Sequence, residues 1–114
     1  MPDQPCTYTI ANGSKEGTVI LTLCGPFTLG NIFSLQNELR SLKPPCLIMD
    51  LQQVPYMDSA GLGVIMNYYV SAENGNRRFF LVGPTERVAA LIEMTKVDSV
   101  LKVFPTLEIA ESHA

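Results

Sequence analysis

From Cys46 to Tyr69 the chain reads CLIMDLQQVPYMDSAGLGVIMNYY, and the change of period inside this stretch decides the fold. Cys46-Leu47-Ile48-Met49 is a nearly continuous apolar run of strand length, the pattern of a strand covered on both faces. It predicts a central place in a sheet. Beyond Asp50 and Pro55 the apolar residues Leu62, Ile65, Met66 and Tyr69 recur at helical spacing, and Asn74-Gly75-Asn76 supplies residue types that close helix C-termini.

Upstream, Thr7 to Ala11 reads as a short strand, and Asn12-Gly13 offers a pair suited to a tight reversal. The second arm, Thr18 to Cys24, sets Val19, Leu21 and Leu23 on one face and Thr18, Ile20 and Thr22 on the other. Gly25-Pro26 ends that arm. Ile32, Leu35, Leu39 and Leu42 then form one stripe of a helix that Pro44-Pro45 must terminate. Downstream, Arg77 to Val82 is the next strand, and Gly83-Pro84-Thr85 opens a helix with Thr85 as its N-cap and Val88, Leu91 and Ile92 turned inward. A strand at Lys102 to Phe104 follows, and Pro105-Thr106 starts a last helix that frays into Ser112-His113-Ala114. Alternation of this kind predicts an α/β fold: one domain over residues 1–114, a mixed, mostly parallel sheet opened by an N-terminal hairpin, and about four helices. Residues 1–6 and 112–114 are expected to be flexible termini.

A length of 114 residues suits one core, and 46% hydrophobic against 17% charged residues places the chain among globular domains. Its net charge of -3, with Arg77-Arg78 as the one adjacent cation pair, speaks against nucleic acid as a partner. No apolar run approaches the roughly 20 residues of a bilayer span, and the start Met1-Pro2-Asp3-Gln4-Pro5 lacks the regions of a secretory signal, so no membrane insertion and a cytoplasmic location are expected. Cys6, Cys24 and Cys46 are odd in number and widely spaced, which suits neither a disulfide framework nor a zinc site. No cofactor or metal is called for. Tyr56, Tyr68, Tyr69, Phe79 and Phe80 read as core and core-edge aromatics, without the basic residues of a stacking platform.

The segment Met57-Asp58-Ser59-Ala60-Gly61-Leu62-Gly63 joins the buried strand to its helix, where open-sheet folds gather functional groups. Amides of a first helical turn have no intrahelical partner, and with the helix dipole they favour negative charge. The small residues Ala60, Gly61 and Gly63 would leave those amides open, Asp58 is suited to cap the helix, and Ser59 presents a hydroxyl. The same residues also make an ordinary cap with no further role. A phosphate loop is not indicated, because no Lys follows Gly63. Nor is a serine hydrolase: Met57 stands where Gly-x-Ser-x-Gly needs its first glycine, and the one histidine, His113, is the penultimate residue. Met57 itself suits either core packing or an adaptable apolar contact.

Val54-Pro55-Tyr56-Met57-Asp58-Ser59-Ala60-Gly61-Leu62-Gly63-Val64-Ile65 resembles the Asp-Ser-Ser/Ala-Gly-Leu-Gly signature of the STAS domain, the fold of bacterial anti-sigma factor antagonists. The likeness extends from the Thr18 to Gly25 strand, through Cys46 to Leu51, to Leu81-Val82-Gly83-Pro84 and the closing helix. It implies a non-enzymatic binding module that engages an anti-sigma factor serine kinase while Ser59 is unmodified. That kinase would phosphorylate Ser59 and so weaken the complex, and a PP2C-type phosphatase would restore it. The partner contacts implied are Thr28, Asn31, Met57, Asp58, Ala60, Gly61, Leu62 and Gly63. Two positions depart from the family pattern. Gly25-Pro26-Phe27-Thr28 replaces an acidic Gly-Glu-Leu/Ile-Asp loop, and Lys96 stands where a glycine is usual, at a cost of roughly 1 kcal/mol if the backbone there is left-handed. The first departure leaves open a second role, a constitutive STAS scaffold or subunit of a transport ATPase complex.

Overall fold

The computed structural model describes residues 6–114. In chain order the elements are β1 (Thr7–Asn12), β2 (Thr18–Cys24), α1 (Phe33–Ser41), β3 (Cys46–Gln53), α2 (Ser59–Asn74), β4 (Arg78–Val82), α3 (Glu86–Met94), a 3-10 turn at Val97–Ser99, β5 (Lys102–Phe104) and α4 (Leu107–Ser112). The strands form one sheet in sequence order. β1 pairs antiparallel with β2, and every later pairing is parallel. The expected mixed sheet with four α-helices is what the chain forms.

The apolar run at Cys46 is central because both its faces are covered. Leu47, Met49 and Leu51 point into the larger cluster, with Leu35 and Leu39 of α1, Leu62, Ile65 and Tyr68 of α2, and Val88 and Ile92 of α3. Cys46 and Ile48 point the other way, to Phe80, Val82 and Ala110 of α4. α2 buries a broader face than its stripe announced: Val64, Tyr68 and Ala72 are buried, while Met66 and Tyr69 sit at the margin. Tyr68 meets Phe79 edge-on at 4.9 Å between ring centroids. Among the described residues no helix is long and apolar enough to cross a membrane.

Two local expectations are corrected. The hairpin is not a tight Asn12-Gly13 turn but a loop of residues 13–17, closed by Gly13 N–H to the Thr18 carbonyl at 2.7 Å, with the left-handed conformation at Gly17 (φ 82°). Thr85 occupies the N-cap position of α3, yet its hydroxyl donates to the Val54 carbonyl at 2.7 Å and so ties α3 to the segment before α2. At the C-terminus, Ser112 closes α4, the His113 ring centroid lies 4.6 Å from that of Phe104, and Ala114 packs at the edge of the second cluster, while Ser112 and His113 are exposed. At the other terminus, Cys6 is half-buried against the larger cluster, and residues 1–5 lie outside the described ones.

Candidate functional site

The segment after β3 is held by the loop that leaves β2. Phe27, fully buried, makes an isolated parallel bridge with Met57. Its N–H donates to the Tyr56 carbonyl at 3.1 Å, and its carbonyl accepts from Asp58 N–H at 3.3 Å. These bonds lay the β2–α1 loop directly over the first turn of α2. Such proximity requires Gly61: a Cβ there would collide with the Phe27 carbonyl oxygen and lie 3.0 Å from the Phe27 ring. Gly63 has open space where its Cβ would stand, so the two glycines of the motif have different reasons.

Asp58 is the N-cap of α2, in extended backbone, with Oδ1 accepting from Gly61 N–H at 3.0 Å. Its Oδ2 accepts from Leu29 N–H at 3.0 Å, so one carboxylate joins helix and loop. Desolvation pushes this carboxyl up, but the backbone N–H groups of Gly61, Leu29 and Ala60 together hold it below the ordinary carboxylate value. The first-turn amides expected to be open are thus partly engaged by Asp58.

Ser59 is the first residue of α2 and is exposed. No described residue hydrogen-bonds its hydroxyl, and α2 has no acidic residue in its first turn. Of the other residues proposed to meet a partner, Gly63 is exposed and Thr28, Asn31, Asp58 and Ala60 are half-buried on the same end of the sheet. Asn31 Nδ2 donates to the Pro26 carbonyl at 3.1 Å, so it braces its own loop. Met57, Gly61 and Leu62 are buried, with Met57 at 8% exposure and inside the larger cluster. The adaptable-contact role of the Met57 side chain gives way to core packing, because the bridge to Phe27 turns it inward.

Sequence reasoning passed over Phe27 and Leu29. Leu29 is 61% exposed, although its N–H is tied to Asp58. An apolar residue within a short strand-to-helix connection was the available signal. Beside the site, the Arg87 guanidinium lies 4.7 Å from the centroid of the Tyr56 ring in a cation–π pair. No group of three or more His, Cys, Asp or Glu among the described residues could hold a metal ion.

The family model for the STAS domain matches residues 10–110. An anti-sigma-B factor antagonist of Listeria monocytogenes is 33% identical over 57 residues, which is 50% of this chain and 50% of the relative. The chain spans little more than half the length of the first curated relatives it matches, 57% of each. Among solved structures, an anti-sigma factor antagonist from Mycobacterium paratuberculosis superposes with a TM-score of 0.86 at 22% identity, covering 99% of this chain and 96% of its own. The Bacillus cell fate determinant SpoIIAA in its phosphorylated form gives a TM-score of 0.74 at 15% identity, over 94% of this chain and 98% of its own. The family match runs through the capped serine turn and both faces of the sheet, and the chain belongs to the STAS domain family.

Proposed function

We propose that this protein is an anti-sigma factor antagonist, a binding module that sequesters an anti-sigma factor kinase while Ser59 carries a free hydroxyl. The observation that carries this reading is the exposure of Ser59 at the first position of α2, on a turn braced by Asp58 and Phe27. A kinase can reach such an oxygen without unfolding anything. The γ-phosphoryl group of ATP passes to Ser59 Oγ, the hydroxyl proton is lost to a base, and ADP leaves. A PP2C-type phosphatase then adds water across the P–O bond, returning serine and inorganic phosphate.

The geometry sets how the added charge acts. With Asp58 already drawing on the Gly61 and Ala60 amides, a phosphate of about -1.5 to -2 charge at Ser59 is directed outward rather than into the turn. The charge therefore falls on the docking surface and leaves the fold in place. The Listeria relative and the phosphorylated SpoIIAA fold support the reading.

Incubation with the cognate kinase and ATP should add about 80 Da, located at Ser59 by fragmentation. Ser59→Asp should weaken the complex by about tenfold or more, and Ser59→Ala should preserve it. Equal affinity for all three forms would reject the switch. A second reading, a constitutive subunit of a transport ATPase complex, is favoured by one observation: residues 25–32 carry no carboxylate and present Leu29 instead. Co-purification with an ATPase and no mass increment would establish it.

A further inference from the structure

Away from the switch serine, at the C-terminal half of α1, a groove of about 300 Å³ opens between α1 and α2. Its floor is apolar, formed by Leu39, Val64 and the Tyr68 ring, and its rim carries Arg40, Lys43 and Ser71. Gln36 and Asn67 complete the lining, and no carboxylate contributes to it. On a chain of net charge -3 this is a concentration of positive charge and donors.

The usual work of cations at a helix C-terminus is already done here by hydroxyls. Tyr68 O–H donates to the Leu42 carbonyl at 2.8 Å, and Ser41 O–H to the Glu38 carbonyl at 3.2 Å. Burial pushes the Tyr68 phenol up, against the opposing effect of Arg77, so it stays a donor across the physiological range. Arg77, which does not itself line the groove, bonds two residues that do: it donates to Tyr68 Oη at 3.3 Å and to Ser71 Oγ at 2.8 Å. With an acceptor site of Ser71 taken by a guanidinium, the hydroxyl proton is free to point into the groove, polarised by the charge behind it. Among the described residues none of Arg40, Lys43 and Arg77 has a carboxylate within ion-pairing distance.

We propose that the α1–α2 groove binds a phosphomonoester with a small apolar body, its phosphate held by Arg40, Lys43 and the Ser71 hydroxyl and its body laid against Tyr68 and Leu39. Charge-assisted bonds to phosphate are the strong ones, and an apolar floor beside converging donors is the general form of a small-ligand site. The phosphate could belong to a soluble metabolite or to a lipid headgroup.

The test is an amide chemical-shift titration of the whole chain with phenyl phosphate, with benzyl alcohol as the neutral control. Saturable shifts confined to residues 36–43 and 64–71, weakened by salt and absent with benzyl alcohol, are expected. The exposed double variant Arg40→Gln/Lys43→Gln should lower affinity by about tenfold or more, and Ser71→Ala by several-fold. Vesicles containing phosphatidic acid form the second arm. Sedimentation with vesicles that phenyl phosphate competes away assigns the phosphate to a lipid, and binding of phenyl phosphate alone assigns it to a soluble ester. Shifts centred on residues 59–63, unaltered affinity in the double variant, or no saturable shift would overturn the proposal.

Discussion

Asp58 joins two segments that lie 29 residues apart: its Oδ2 accepts from Leu29 N–H at 3.0 Å while its Oδ1 accepts from Gly61 N–H at 3.0 Å. A side chain that reads as a simple cap is therefore also the clamp that sets the β2–α1 loop beside Ser59. Asp58→Ala removes both acceptors and should cost about 1–2 kcal/mol in denaturant unfolding. Asp58→Asn keeps an oxygen for Gly61 but presents an amide nitrogen to Leu29 N–H, so it should cost less and loosen only the loop. Exchange of the Leu29 amide, faster in both variants while Gly61 stays protected only in the Asn form, would check the division.

The same carboxyl fixes a pH dependence. Its value in the folded chain is lowered, because the Gly61, Leu29 and Ala60 amides outweigh desolvation, so the folded state binds that proton less readily than the unfolded state. The associated stability is complete above the ordinary carboxylate value and disappears as pH falls through the lower, folded one. Asp58→Asn should flatten the acid limb of a stability-versus-pH curve and leave its neutral part parallel to that of the parent. An unchanged acid limb would show that the clamp carries no linkage.

Gly61 and Gly63 separate a packing requirement from a helix preference. Gly61→Ala drives a methyl group into the Phe27 carbonyl and ring, and backbone cannot yield as a flexible side chain would. A loss of about 2 kcal/mol or more is expected, with weaker partner binding as the loop lifts. Gly63→Ala meets nothing within 4 Å and replaces a poor helix former inside α2, so a gain of about 0.5–1 kcal/mol is expected. Thermal unfolding of both variants reads the contrast directly.

This contrast also shows what the sequence could and could not convey. The order of elements was legible because its signals are local: the alternation in Thr18 to Cys24, the continuous run at Cys46, the prolines after Leu42. The motif was legible as a capped turn for the same reason. The second bond of Asp58 was not, since nothing near residue 58 says that Leu29 will lie over it; that contact exists only once β2 and β3 pair in parallel register. Thr85 was read as a cap from its place before a helix, and it occupies that place, but its hydroxyl is turned to donate to the Val54 carbonyl and makes no cap bond to α3, an orientation set by a residue 31 positions away. The left-handed residue of the hairpin was missed because Gly13 and Gly17 are both permissive, and only the loop closure onto Thr18 chooses between them.

Lys96 tests a backbone cost that the sequence did anticipate. Between α3 and the 3-10 turn it adopts φ 61° and ψ 21°, a left-handed conformation that crowds any Cβ. Lys96→Gly should stabilise the chain by about 1 kcal/mol, offset slightly by the greater freedom of glycine in the unfolded chain. Lys96→Asn should fall between the two, because asparagine tolerates this region better than lysine does. Loss of stability on Lys96→Gly would mean that the lysine side chain makes a contact worth more than the strain.

Ser59→Asp offers the sharpest separation of docking from folding. At the first position of α2 a carboxylate gains from the helix dipole about 0.5 kcal/mol at low ionic strength, and it is repelled by the neighbouring Asp58 by a comparable amount. The two effects oppose each other, and since the site is exposed both fade with salt. Stability should therefore stay within about 0.5 kcal/mol of the parent at every salt concentration, while affinity for the proposed kinase partner falls. Urea unfolding and a binding titration on the same preparation decide it: weakened binding with unchanged stability places the switch at the interface, whereas a matching loss of stability would mean that the charge acts by disturbing the turn that Asp58 and Phe27 hold.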